Sequence, residues 1–233
     1  MTRFLFLIVI LAFGTPLGTL AQWSLGADVV SRYIWRGIDF GESLSLQPAL
    51  AYSAGGFEIG TWASYSVSAD GAGANEHDLY AAYSFDLGNQ SSVTLGVTDY
   101  YFPAPEGADW SNYEGDGDGA HWIELMAGVT GPAGFPISLT GLMMVHNDPD
   151  GSLYVEASYP VSAPGVDLGL TLGLVANESA FYGVATASVI NLGLSAAKEL
   201  RVTDSFALPL SVSYIVNPTH ERSYLVFGIS ITP

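Results

Sequence analysis

The 233-residue sequence carries 23 acidic and 6 basic side chains, a formal net charge of −17, and no cysteine; charged residues make up 12% of it. An ordinary soluble domain is about a quarter charged. The acidic balance excludes nucleic-acid binding by charge and predicts repulsion of anions and attraction of cations. Stability must come from backbone pairing and apolar burial, since no disulfide can form.

Residues 1–21 open with Arg3, continue through the apolar run FLFLIVILAF (4–13), and end in the small residues GTPLGTLA. This reads as a secretory signal peptide cleaved after Ala21, with an apolar run too short to span a bilayer. Residues 22–233 read as one domain. In them no apolar run approaches the roughly 20 residues of a membrane helix, although 49% of the whole chain is hydrophobic.

From residue 22 onward the dominant period is two. Phe57, Ile59, Thr61, Ala63, Tyr65 and Val67 alternate with Glu58, Gly60, Trp62, Ser64 and Ser66. Leu168, Leu170, Leu172 and Leu174 alternate with Asp167, Gly169, Thr171 and Gly173. Such runs predict about twelve strands: 24–37, 45–54, 57–67, 76–86, 91–102, 120–130, 136–146, 152–161, 166–176, 187–199, 205–216 and 222–232. Each is roughly ten residues, the length of a tilted bilayer-crossing strand. Residues 181–186 read as loop or as the start of the tenth strand. Links such as ADGAGANE, the stretch 103–119 and NDPDG fall on one side; the tight turns AGG, LGNQ, GPAG and SAPG fall on the other. Long loops at one end and short turns at the other are expected of outer-membrane barrels.

The fold class is therefore all-β: a closed antiparallel up-and-down transmembrane β-barrel of about twelve strands. A soluble sandwich or lipocalin-like barrel shares the alternation. Its water-facing side, however, would carry Lys and Glu, with Lys guarding the edges. Here that side is Gly, Ala, Ser and Thr with isolated carboxylates, while the Leu/Val-rich side has aromatics near strand ends. Those aromatics are Trp23, Tyr33, Trp35, Tyr52, Phe57, Tyr65, Phe85, Tyr101, Phe135, Tyr159, Phe206 and Tyr214. They suit two interfacial girdles.

The segment DVVSRYIWRG (28–37) holds two of the six basic residues, Arg32 and Arg36. Read as a strand, it turns Leu25, Ala27, Val29, Tyr33 and Trp35 to lipid, and Asp28, Arg32 and Arg36 to the lumen. An arginine on the lipid face near mid-membrane would cost about 2–4 kcal/mol. The two guanidinium groups would then sit about 13 Å apart in depth. The same parity turns Glu58, Trp62, Asp78, Glu124 and Glu156 inward, predicting a charged constriction, or else a network that merely holds the interior together. Glu124 and Glu156 lie on strands six and eight, roughly opposite strand one, so their pairing with Arg32 is left open. The large inward groups Trp62, Tyr80, Tyr100, Trp122 and Tyr154 would narrow the opening.

In Ser31, Tyr33, Arg36 and Gly37, followed by Gln47-Pro48-Ala49 and the strand FEIGTWASY, the chain resembles the TorF-type porin family of proteobacterial outer-membrane proteins. HDLYAAYSFDLG (77–88) and NLGLSAAKEL (191–200) extend the likeness. The resemblance implies a Gram-negative outer-membrane barrel with channel activity; it supplies no substrate and no site residues. Such barrels end on an aromatic residue, whereas this chain ends ISITP, its last aromatic being Phe227.

Other chemistry is weaker in the sequence. His77, His121, His146 and His220 fall at strand ends on the long-loop side, but no segment carries a nucleophile motif, and enzymatic activity is not expected. Asp116 and Asp118, in the longest and most acidic loop, could hold Ca²⁺ weakly, although the EF-hand pattern is absent. No cofactor is expected. The sequence predicts a narrow, cation-favouring outer-membrane channel for small solutes. Its expected partners are outer-membrane lipids, lipopolysaccharide and the barrel-assembly machinery. A non-conducting structural or adhesion barrel with acidic extracellular loops is the alternative, and an outer-membrane lipid hydrolase is a more remote one.

Overall fold

The computed structural model describes residues 21–68, 75–103, 109–204 and 206–232, and the segment read as a signal peptide falls outside them except for Ala21. Fourteen strands occur in the described residues. In order they are β1 (Gln22–Val30), β2 (Tyr33–Trp35), β3 (Ile38–Gly41), β4 (Ser45–Ala54), β5 (Phe57–Ser66), β6 (Glu76–Gly88) and β7 (Ser91–Tyr101). They continue with β8 (His121–Thr130), β9 (Ser138–His146), β10 (Leu153–Ala163), β11 (Val166–Val175), β12 (Ser188–Arg201), β13 (Ala207–Asn217) and β14 (Arg222–Ile231). Twelve of them close an antiparallel barrel in which β1 is sealed between β4 and β14, while β2 and β3 form a separate two-stranded sheet. Leu25 pairs with Leu50 on one side of β1, and Ala27 with Ile231 on the other. Among the described residues every strand of the ring has a partner on both sides, as hydrocarbon demands.

The period-two pattern sorts the side chains as the alternation predicts. Leu50, Ile59, Leu79, Leu95, Leu125, Leu139, Leu170, Leu194 and Leu225 are exposed on the outer wall. Their strand neighbours Trp62, Asp78, Glu124, Met126, Leu142 and Tyr154 are buried inside. A continuous outward apolar belt of this kind is uncommon on a water-soluble monomer. Leu125→Arg, in the middle of β8, should cost about 2–4 kcal/mol in unfolding from lipid vesicles followed by urea titration. A cost under about 0.5 kcal/mol would mean that this wall meets water.

The hydrophobic core sits within the ring. Tyr33, Trp35, Trp62, Tyr100, Met126, Leu142, Met144, Tyr154, Val175, Tyr182, Val184 and Ile190 form one buried cluster, with Ile38, Phe40, Phe102, Trp122 and Phe181 packed against it. Two segments enter the lumen to build it. One is the β2–β3 hairpin. The other is the link between β11 and β12, which is loop pinned by a single bridge between Ser179 and Val184 and carries Phe181 and Tyr182 inward.

The first predicted strand, 24–37, is thus corrected. Its wall portion stops at Val30. There the Ser31 N–H donates to the Phe227 carbonyl at 2.8 Å, and the Phe227 N–H donates to Ser31 Oγ at 3.0 Å. Beyond that point the chain leaves the wall. Tyr33 and Trp35, expected in an outward girdle, lie in the interior at 5% and 3% exposure. The physical reason is that their ring partners Trp62, Tyr100 and Tyr182 are buried there, so packing against them takes both rings out of solvent.

Candidate functional site

The hairpin turns at Arg36-Gly37, between the register partners Trp35 and Ile38. Both turn residues have positive φ, 50° and 78°. That is the two-residue turn whose twist suits a tight hairpin. A left-handed conformation costs a non-glycine residue about 1–2 kcal/mol, and Arg36 accepts it. What offsets the strain is the destination of its side chain. Arg36 Nη1 and Nη2 donate to the two carboxylate oxygens of Glu124 at 2.6 and 2.8 Å, and Nη1 also donates to the Tyr182 hydroxyl. The Tyr100 hydroxyl donates to Glu124 Oε1 at 2.8 Å. The guanidinium lies 4.2 Å from the ring centre of Trp35 and 4.7 Å from that of Tyr154. Bidentate pairing beside aromatic faces is the geometry in which arginine outperforms lysine.

Two further attachments fix the hairpin. The Tyr33 hydroxyl donates to Glu76 Oε2 at 2.9 Å, and Asn217 Nδ2 donates to the Gly37 carbonyl at 3.1 Å. Gly37 is required twice over: its φ is positive, and a Cβ there would run into the Ile190 carbonyl oxygen. Gly37→Ala should therefore unseat the hairpin tip. The expected readout is a lower melting temperature in detergent, with an unchanged one sinking the seating argument.

Each sequence-predicted lumen residue now has a place. Arg32 and Arg36 are on the infolded hairpin, so they do not line one strand at two depths; the hairpin carries Arg36 across the barrel to β8. Arg32 stays near the rim, 2.7 Å from Asp39 and 3.5 Å from Glu42. Asp28 bonds the Ser230 side chain. Glu58 Oε2 accepts from Ser53 Oγ at 2.9 Å, and Tyr80 reaches the same carboxylate. Glu156 Oε2 accepts from the Tyr154 hydroxyl at 2.7 Å and from Asn191 Nδ2 at 3.3 Å. Trp62 packs against Tyr33 with the rings tilted at 55°, and Asp78 is buried beside Glu76. Among the described residues, the carboxylates Asp28, Glu58, Glu76, Asp78, Glu124 and Glu156 thus share one deeply buried guanidinium, that of Arg36. Tyr182 arrives by a loop and obeys no strand period, so strand parity gives no sign of it.

At the long-loop end, residues 109–119 fold against the barrel. The Tyr113 and His121 rings stack at 3.8 Å, and His121 lies 2.9 Å from Asp99 Oδ1 and 2.8 Å from the Trp110 carbonyl. The backbone N–H and hydroxyl of Ser111 hold the Asp109 carboxyl below the ordinary range. For Asp116 and Asp118, no group of three or more metal-ligating side chains occurs among the described residues. Asn147 organises that turn, its Oδ1 accepting from the Gly117 and Gly119 N–H groups. Glu106, of the same acidic loop, lies outside the described residues. The histidine bonds go to Tyr65 from His77, to Asp99 and Trp110 from His121, and to Asn217 and Gly183 from His220. None of these partners is a serine nucleophile.

The family described as Gcw_chp, a bacterial protein of unknown function, matches residues 19–202. The chain belongs to that family. The Gcw_chp description carries no TorF name, so the TorF-type likeness stands as one of local motifs. Among solved structures, a KdgM porin superposes with a TM-score of 0.53 at 9% identity, covering 89% of this chain and 96% of that one. At that identity the likeness is one of fold. OprB of Pseudomonas putida, in a high-pH structure, matches at a TM-score of 0.34 and 14% identity over 81% of this chain and 58% of that one. No curated protein sequence matches the chain.

Proposed function

We propose that this Gcw_chp member is an outer-membrane channel, narrow and cation-favouring, whose constriction is the β2–β3 hairpin. The observation that carries the reading is a closed twelve-strand ring with an apolar exterior and an interior in which carboxylates outnumber guanidinium groups. An unbalanced acidic lumen with low-dielectric walls concentrates cations and repels anions. The likeness in fold to a porin supports the same reading. On this reading the long loops face outward among lipopolysaccharide, the barrel-assembly machinery inserts the chain, and small solutes cross through the lumen.

Planar-bilayer recording tests it. The expected result is small single-channel steps whose reversal potential in a salt gradient favours cations. Anion preference, or silence at every voltage, would overturn it. Silence would favour the second reading, a non-conducting structural or adhesion barrel, which draws support from the aromatic packing that fills the long-loop half of the lumen.

A further inference from the structure

On the outward face of the ring, at its long-loop end, Tyr101 of β7 and His121 of β8 are register partners. Val97 and Leu125, of the same parity on those strands, are exposed in the apolar belt. His121 nevertheless has no exposed surface, because Trp110 and Tyr113 of the longest loop roof it. The Tyr101 and Tyr113 rings both stack on the imidazole, at 4.8 and 3.8 Å. Both of its nitrogens are occupied as well. Nδ1 lies 2.9 Å from Asp99 Oδ1, and Nε2 lies 2.8 Å from the Trp110 carbonyl oxygen. A carbonyl oxygen can only accept. Asp99 accepts at Oδ2 from the Tyr113 hydroxyl at 2.9 Å, which is the bonding of a carboxylate. A neutral imidazole has one N–H and one lone pair, so it can serve one of these two acceptors but not both. The imidazolium serves both.

We infer that His121 is held as an imidazolium and works as a proton-operated clasp, fastening residues 110–113 to the outer wall and releasing them when the proton leaves. The Trp110 carbonyl, the Tyr113 ring and the Tyr113 hydroxyl all attach to the wall through His121 or Asp99. Losing the proton sets a nitrogen lone pair against an oxygen lone pair, and lifting the roof lets water pair the stranded oxygen instead. Among the described residues, Asp99 is the carboxylate in ion-pair contact with the imidazole. The other titratable neighbours are turned elsewhere. His77 of β6 makes a T-shaped contact with Tyr101 and bonds the Tyr65 hydroxyl. His146 of β9 pairs in register with Ile123, and Asp109 of the loop bonds Ser111. Asn147 holds the Gly117 and Gly119 N–H groups, so the neighbouring turn stays in place when the roof lifts. The clasp lies outside the ring, and its action is independent of whether the lumen conducts.

The test uses the full mature chain in detergent micelles. The chain has no cysteine, so Ser111→Cys, exposed between the two roof residues, gives a unique attachment for a nitroxide spin label. The spectrum should be dominated by an immobile component at about pH 5.5, and the mobile-to-immobile ratio should rise at least about fivefold by about pH 8.5, across the interval in which histidine ordinarily titrates. Fivefold is the change that about 1 kcal/mol of lost hydrogen bonding produces. In the His121→Gln background, where the side-chain amide offers a donor at one end and an acceptor at the other, the label should be mobile at both pH values. Asp99→Asn is the decisive variant. Its amide can donate to Nδ1, which leaves a neutral imidazole with Nε2–H for the Trp110 carbonyl, so the label should stay immobile at about pH 8.5. Three results would each overturn the clasp: a native-background spectrum unchanged by pH, a pH response that survives His121→Gln, or an Asp99→Asn background that loosens on raising pH as the native one does. The last would leave the Asp99–His121 contact a structural one.

Discussion

Replacing residues 31–44 with Asn-Gly should raise single-channel conductance at least about threefold while the twelve-strand ring persists. The design follows from register: Val30 and Ser45 are partners across β1 and β4, so a two-residue turn can join them without disturbing either strand. The excised segment contributes Tyr33, Trp35, Ile38 and Phe40 to the interior cluster. A twelve-stranded barrel lies between those that side chains fill and those that hold open water channels, so its bore depends on what is folded into it. Loss of these rings should also lower the melting temperature, since removing one buried aromatic commonly costs about 3–5 kcal/mol. Far-UV circular dichroism reports whether the strands survive. Unaltered conductance in a folded variant would place the constriction elsewhere, on the wall aromatics Tyr100 and Tyr154 together with Tyr182, and would remove the hairpin from the channel's account.

Most of the ring was legible in the sequence, because each crossing repeats the same period and ends at a turn. Phe57, Ile59 and Tyr65 face outward on β5 and Trp62 inward, as alternation requires. The hairpin was missed for a physical reason. Val29, Tyr33 and Trp35 have the same parity, and an aromatic near a strand end looks identical whether it anchors in an interface or packs in a lumen. One signal was available: the run 24–37 is four residues longer than the roughly ten that a crossing needs. The excess contains Arg36-Gly37, a glycine turn followed by the alternation Ile38, Asp39, Phe40. The partnership of Arg36 with Glu124 was less accessible. Counting around the ring puts β8 far from β1, and only a chain that leaves the wall can bridge that separation. Tyr182 was hidden more completely, since loop residues carry no periodicity from which an inward direction could be read.

Breaking the Arg36–Glu124 pair from either side should destabilise the protein far more than removing both charges together. Arg36→Met leaves Glu124 as a buried carboxylate whose remaining donor is Tyr100, and Glu124→Leu leaves the guanidinium with Tyr182. Each single change should cost about 3–5 kcal/mol in urea unfolding, because an uncompensated charge stays enclosed. The double variant Arg36→Met/Glu124→Leu should recover most of that loss, since well-packed apolar residues of similar size replace a buried ion pair at little net cost. Conductance should follow the same cycle. Each single variant lets the hairpin swing and enlarges the current, while in the double variant Trp35 against Tyr182 and Tyr33 against Trp62 still hold it by packing. Strictly additive losses would instead mean that the two groups are not coupled, and the hairpin would then be seated by its aromatic rings and by the Asn217 bond to Gly37, with the guanidinium a passenger.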